Sequence, residues 1–292
     1  MTARLRTTGA AAALALLLAA GAWAQQGRVL ENESVQSPTL GRAWAYSIYL
    51  PPDYATSERA YPVVYLLHGL YGAHSDWVRY VDAAVTADEL IVAHEIPPMI
   101  LVMPEGGNSW WVDSDPKTGF GPVETALLHD LVPHVDATYR TIDARRERAI
   151  AGLSMGGYGA LRLAFEHPEL FGAVGGLSPA IQRKAQGFRL LSPAFGAPFD
   201  PARFEAETPW VYLPALASNS EKLPLHVWLT IGDDDAFTEF LDGTMDLYLA
   251  LRDAKIPAEL RVTDGGHDPG TWSAGLRDVL RYFGKVFEAR RL

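Results

Sequence analysis

The chain has 292 residues, 48% of them hydrophobic and 21% charged, with a formal net charge of −10 and no cysteine. Without cysteine there is no disulfide framework, no thiolate metal site and no cysteine nucleophile. The acidic balance disfavours nucleic acid and anionic membranes as partners.

The first segment reads as a leader. Arg4 and Arg6 precede an apolar stretch from Ala10 to Ala20, followed by Gly21-Ala22-Trp23-Ala24. A basic start, an apolar centre and an Ala-x-Ala site predict a secretory signal peptide over 1–24, cleaved after Ala24, and export to a periplasm or the medium. A membrane anchor is the rival reading, but the apolar run is shorter than the ~20 residues a spanning helix needs. The mature chain, 25–292, carries a net charge of −12 once Arg4 and Arg6 leave. Its length suits one large domain, and no linker or low-complexity break divides it.

Val35 to Pro51 alternates apolar and polar residues and predicts antiparallel edge strands ending at the turn Pro51-Pro52-Asp53. Four apolar runs predict buried parallel strands: Val63 to Leu67, Met99 to Met103, Ala149 to Gly152 and Leu225 to Ile231. Ala258 to Val262 adds another. Helical patterns cover Val123 to Tyr139, Met155 to Glu166, Glu239 to Asp253 and Gly275 to Ala289. Strands alternating with helices imply an α/β fold around a mostly parallel sheet. Residues 180–224 interrupt this rhythm with six prolines, and read as an insertion over the end of the sheet.

The hexapeptide Gly152-Leu153-Ser154-Met155-Gly156-Gly157 follows the apolar run Ala149-Ile150-Ala151. It reads as a nucleophile elbow, in which a buried strand turns sharply through a serine into a helix. The residues two positions either side of the serine must be small, and here both are glycine. A serine hydroxyl needs a base, and the base needs an orienting acid. His267, in Asp264-Gly265-Gly266-His267-Asp268, is the one late histidine that follows a strand; its alternative is a surface histidine in a turn. The acid should follow the strand Leu225 to Ile231, where Gly232-Asp233-Asp234-Asp235 offers three candidates. Position three after the glycine selects Asp235, with Asp234 as runner-up and Asp233 capping the turn. Two backbone N–H groups should hold an oxyanion: Met155, at the start of the helix, and Leu70, in the loop His68-Gly69-Leu70-Tyr71-Gly72. The remaining histidines show no metal-ligand spacing, so no metal and no cofactor is expected.

The segments Leu66-Leu67-His68-Gly69, Met103-Pro104-Glu105-Gly106-Gly107, Gly152 to Ala160 and Gly265-Gly266-His267-Asp268 resemble the esterase D-like branch of the α/β hydrolases. That branch includes feruloyl, acetylxylan and tributyrin esterases, S-formylglutathione hydrolases and antigen 85 mycolyltransferases. The resemblance covers nearly all of the mature chain from Val35. It implies an α/β-hydrolase fold, Ser154, Asp235 and His267 as a triad, and Leu70 and Met155 as oxyanion donors. It also implies acyl and alcohol pockets built by loops at the carboxyl end of the sheet. Trp77, Trp110, Trp111 and Trp272 lie on such loops, where they either stack on substrate or anchor the loops in the core. The expected activity is hydrolysis of short-chain or aromatic esters, of small molecules or linked to carbohydrate. An acyltransferase with the same triad and a non-catalytic binding protein on the same fold are the alternatives.

Overall fold

The computed structural model describes residues 26–184 and 193–289. The expected leader over 1–24 lies outside the described residues, as do positions 185–192 of the expected insertion. One eight-stranded sheet organises the chain, in the order β1-β2-β4-β3-β5-β6-β7-β8. The strands are β1 (Arg28–Ser37), β2 (Arg42–Leu50), β3 (Val63–Leu67), β4 (Ile100–Pro104), β5 (Arg148–Leu153), β6 (Ala173–Leu177), β7 (His226–Gly232) and β8 (Ala258–Thr263). β1 and β2 pair antiparallel and β2 joins β4 antiparallel, while every other pairing is parallel. This is the α/β-hydrolase architecture. β3 to β6 are buried along their whole length, as strands covered on both faces must be.

The helices are α1 (Asp76–Arg79), α2 (Ala83–Val92), α3 (Val123–Ala126), α4 (Val132–Thr138), α5 (Met155–Glu166), α6 (Pro201–Ala206), α7 (Pro209–Asn219), α8 (Thr238–Asp253) and α9 (Pro269–Glu288). A π-helical turn, Leu127–Leu131, joins α3 to α4, so the long helix expected over Val123 to Tyr139 is present but locally widened and underwound. Helices on the two faces of the sheet close two apolar layers. One contains Tyr65, Val102, Ile150, Leu161 and Phe171; the other contains Leu66, Leu101, Ala151, Val279 and Phe283.

Three sequence expectations need correction. β6, Ala-Val-Gly-Gly-Leu, was not anticipated, because glycine weakens a strand pattern. Its glycines are packing requirements: a Cβ on Gly175 would sit 2.5 Å from Val279 Cγ2, and one on Gly176 2.9 Å from Leu161 Cδ1. The final helix begins at Pro269, six residues before the expected Gly275. The Asp268 carboxylate caps it, accepting from the Gly270 and Thr271 N–H groups, and proline occupies the first turn. The expected 180–224 insertion contains the helices α6 and α7 rather than only irregular chain.

That insertion is fastened to α5. The Phe204 ring stacks on Tyr158 with centroids 6.0 Å apart, and Phe195 meets Phe204 edge-on at 5.2 Å. Tyr158 donates to the Glu207 carbonyl at 2.8 Å. Beside it the buried Arg162 guanidinium reaches Glu207 at 2.7 Å, Glu124 at 2.6 Å and Glu166 at 2.9 Å.

Candidate active site

Ser154 sits between β5 and α5 with φ 53° and ψ −119°, a conformation that costs a non-glycine residue roughly 1–3 kcal/mol and persists only where the surroundings enforce it. The enforcement is visible. The Ser154 N–H donates to the Leu177 carbonyl and its own carbonyl accepts from Ala180, both at 2.9 Å. The flanking glycines are needed for close approach: a Cβ on Gly152 would overlap the Gly156 carbonyl, and one on Gly156 would overlap the Leu67 carbonyl. The elbow therefore lies directly against the end of β3 and the loop that follows it.

The loops after β7 and β8 are stitched together. Asp233 N–H donates to Thr263 O at 2.9 Å, and Asp234 N–H to Gly265 O at 3.0 Å. Asp233 Oδ1 accepts from the Gly265 N–H at 3.2 Å, which is the turn-capping place expected for it. Asp233 and Asp234 are exposed, whereas Asp235 is buried. Its Oδ2 lies 2.8 Å from His267 Nδ1, and its Oδ1 accepts from the Phe237 N–H at 2.9 Å. His267 Nε2 lies 2.9 Å from Ser154 Oγ. Because a buried carboxylate can only accept, the proton on His267 sits on Nδ1, leaving Nε2 free to accept from the serine hydroxyl. Serine, histidine and aspartate thus form one continuous hydrogen-bonded chain.

A cavity of about 260 Å³ opens over Ser154. Leu70, Met155, Trp110 and Trp272 line it, together with Phe237 and Phe240, which the sequence reading had not assigned to a pocket. Phe237, Phe240 and Trp272 surround the imidazole, with ring centroids 4.9, 5.8 and 5.2 Å from that of His267. Among the described residues no hydrogen bond takes up the Leu70 N–H. The Met155 N–H belongs to the first turn of α5, where no intrahelical acceptor exists. Both are free to hold a developing negative charge.

The four candidate tryptophans divide. Trp110 and Trp272 reach the cavity. Trp77 is fully buried in the layer with Leu66 and Leu90, away from the cavity wall. Trp111 is also buried: its indole N–H donates to the His68 carbonyl at 3.2 Å, and its ring stands edge-on to the His68 imidazole at 5.2 Å. Trp77, which lies in the short helix α1 rather than on a loop, and Trp111, on the loop after β4, therefore sit as core anchors. Trp110 and Trp111 both take φ near +58°, unusual for bulky residues, so the loop after β4 is held by its packing rather than by backbone preference.

Among the described residues, two groups bring three possible metal ligands within 4.8 Å of one another: Glu124, Glu166 and His167, and Asp233, Asp234 and Asp264. In the first group Arg162 already supplies the positive charge. The second is exposed. Neither touches the cavity.

An elbow serine at the carboxyl end of a parallel sheet, joined through one imidazole to a buried carboxylate, is the arrangement of an α/β hydrolase. The chain belongs to the putative esterase family, whose model matches residues 37–283, and within it to the esterase D-like branch. It is 31% identical over 256 residues to an esterase of Mycobacterium tuberculosis, a match covering 80% of this chain and 54% of that protein. The chain thus spans only about half the length of that relative. It is 33% identical over 154 residues to an endo-1,4-beta-xylanase/feruloyl esterase of Xylanibacter ruminicola, covering 51% of this chain and 21% of that one. Among solved structures it is similar to a ferulic acid esterase, with a TM-score of 0.76 and 28% identity over 89% of this chain and 99% of the other.

Proposed function

We propose that this chain is an exported serine carboxylic-ester hydrolase acting on short-chain or aromatic acyl esters. The observation that carries the reading is the position of His267, between Ser154 Oγ at 2.9 Å and Asp235 Oδ2 at 2.8 Å. In acylation, Nε2 takes the serine proton as Oγ attacks the ester carbonyl, and Asp235 stabilises the imidazolium that forms. The N–H groups of Leu70 and Met155 hold the tetrahedral oxyanion. His267 then protonates the departing alcohol, and the acyl-enzyme remains on Oγ. Water then gives a proton to the same nitrogen as its oxygen attacks the acyl carbon; the bond to Oγ breaks, Nε2 returns the proton to Oγ, and the acid leaves.

The cavity supports an uncharged acyl group. Its wall combines Trp110, Phe237, Phe240, Trp272 and Leu70, and its volume is modest beside the roughly 300–1,000 Å³ typical of ligand pockets. The names of the relatives, esterase and feruloyl esterase, point the same way. Export rests on the leader pattern of residues 1–24; among the described residues no helix is long and apolar enough to cross a membrane.

The test is Ser154→Ala, assayed on 4-nitrophenyl acetate and butyrate beside methyl ferulate. Turnover should fall by a factor on the order of 10⁴ to 10⁶ with the fold intact by circular dichroism. A fluorophosphonate probe should label the parent and not the variant. An unlabelled parent would support the non-catalytic binding protein instead.

A further inference from the structure

Behind the oxyanion loop lies a histidine that touches neither the cavity nor the Ser154–His267–Asp235 chain. His68 is completely buried. Its Nε2 receives the backbone N–H of Gly106 at 2.9 Å. A backbone amide can only donate, so Nε2 carries no proton and the neutral ring must carry its proton on Nδ1. Glu105 Oε1 stands 3.7 Å from the same Nε2, beyond hydrogen-bond distance, and accepts from the Gly107 N–H at 2.9 Å instead. The other ring nitrogen, Nδ1, lies 2.8 Å from the carbonyl oxygen of Gly69. Nδ1–H therefore donates to Gly69 O.

That carbonyl belongs to the peptide unit whose N–H is Leu70. Gly69 O also accepts from the Gly72 N–H at 3.1 Å, so two donors fix its direction. In a planar trans peptide the C=O of one residue and the N–H of the next point in opposite directions. Fixing the Gly69 carbonyl thereby fixes the Leu70 N–H, which is left without a protein acceptor among the described residues. The peptide lies beside the serine: a Cβ on Gly69 would stand 3.4 Å from Ser154 Cβ. We propose that His68 is a positioning residue for ester hydrolysis, whose Nδ1–H, held in that tautomer by the Gly106 N–H, locks the Gly69–Leu70 peptide with its N–H aimed at the oxyanion. This rests on the proposed esterase function and on Leu70 as an oxyanion donor.

The chemistry explains why an imidazole suits this place. One side chain must accept on one side and donate on the other, across the gap between the loops after β3 and β4, without carrying charge into a fully buried site. Trp111 supports the same unit from outside by donating to the His68 carbonyl.

The experiment compares His68→Asn, His68→Gln and His68→Leu with the parent and Ser154→Ala on 4-nitrophenyl butyrate. The Asn amide nitrogen can stand near the place of Nδ1 and keep the donor to Gly69 O. Gln reaches instead toward the Nε2 position, and Leu offers neither. Loss of one oxyanion donor typically costs about 10²–10³ in kcat, and a misaimed donor should forfeit part of that. We expect kcat to fall roughly 10- to 100-fold in His68→Leu and His68→Gln with KM changed less than about threefold, and His68→Asn to recover most of the loss. Binding of a trifluoromethyl ketone, which forms an oxyanion on Ser154, should weaken in parallel with kcat. Thermal unfolding of each variant separates this from general damage: should His68→Leu not fold, the contrast of Asn with Gln carries the test. Equal kcat losses in Asn and Gln, or kcat within about twofold of the parent in folded His68→Leu, overturn the proposal while the esterase reading stands. Ester turnover that survives Ser154→Ala overturns both.

Discussion

The Phe237 ring stands edge-on to His267, with centroids 4.9 Å apart, while the Phe237 backbone N–H donates to the oxygen of Asp235 that His267 does not use. One residue thus steadies both members of the pair. The aspartate is left with one oxygen directed at the imidazole, and the imidazole is bordered by the rings of Phe237, Phe240 and Trp272. Asp235→Asn should be severe for a definite reason. The new amide can present an N–H to Nδ1 and favour the tautomer protonated on Nε2, which cannot accept from Ser154. A kcat loss of about 10³ to 10⁴ is expected. Asp234→Asn, at an exposed side chain whose backbone alone stitches the loops, should stay within about twofold of the parent. Steady-state kinetics on 4-nitrophenyl butyrate decides, and the reverse ranking would make Asp234 the acid.

The split among the tryptophans predicts distinct phenotypes. Trp110 forms part of the cavity wall, so Trp110→Leu should enlarge the space over Ser154 and raise the ratio of octanoate to acetate turnover by about tenfold, the worth of a small change in pocket contacts. Trp77 is buried elsewhere and, among the described residues, its indole N–H has no hydrogen-bond partner. Trp77→Phe removes that unsatisfied donor along with some apolar contact, so stability should change by no more than about 2 kcal/mol. The chain-length profile should not move. An altered profile in Trp77→Phe would place that residue in substrate binding after all.

What the sequence disclosed, and what it withheld, follow from the range of the forces involved. The elbow was legible because Gly152 and Gly156 answer a local steric demand that leaves a local pattern. The edge strands and most of the parallel strands were legible from apolar runs. β6 was not, because its Gly175 and Gly176 answer to Val279 and Leu161, more than a dozen residues away or more than a hundred. The early start of α9 has a local signal in the sequence, since Asp268-Pro269 is a cap followed by a first-turn proline. Spacing from Gly232 favours Asp235 over its runner-up Asp234, but it is the 2.8 Å contact of Asp235 with His267 that separates these adjacent residues. The role of Trp111 was equally hidden, because its partner His68 lies 43 positions away.

Arg162 holds the insertion to α5, and breaking that clamp should loosen it. Burial alone would lower the guanidinium's pKa, but Glu124 and Glu207 raise it above its ordinary value, so the charge persists inside the protein. Arg162→Met would strand the carboxylates of Glu124, Glu166 and Glu207 without their shared cation. Removing one partner of a buried ion pair typically costs about 3–5 kcal/mol. Differential scanning fluorimetry should show Tm lower by several degrees, at roughly 2–4 °C per kcal/mol for a domain of this size. A double variant Arg162→Met/Glu124→Gln should recover part of the loss, since it leaves fewer charges unpaired. No recovery would mean that the packing of the Arg162 side chain, rather than its charge, holds the insertion.

The same cluster should give stability a pH dependence, carried by His167 at the end of α5. Its Nε2 lies 3.5 Å from Glu124 Oε1, and its Nδ1 lies 3.2 Å from Glu169 Oε1. The hydrogen bond to Glu124 is the largest influence and raises the imidazole above its ordinary value; burial opposes it, and Glu166 and Glu169 add to the rise. A group that binds its proton more tightly when folded stabilises the fold fully below its unfolded pKa, about 6.5 for histidine. That contribution is lost as pH rises through the higher folded value. Glu124 does not cancel it: burial pushes its carboxyl up, but His167 and Arg162 pull it lower, so it stays ionised through this window. Glu166, raised chiefly by burial, is present with or without the imidazole. His167→Gln should therefore cost stability at about pH 6 and progressively less toward about pH 9 in urea unfolding. A cost independent of pH would assign His167 a packing role only, and a cost that grows with pH would reverse the sign of its charge coupling.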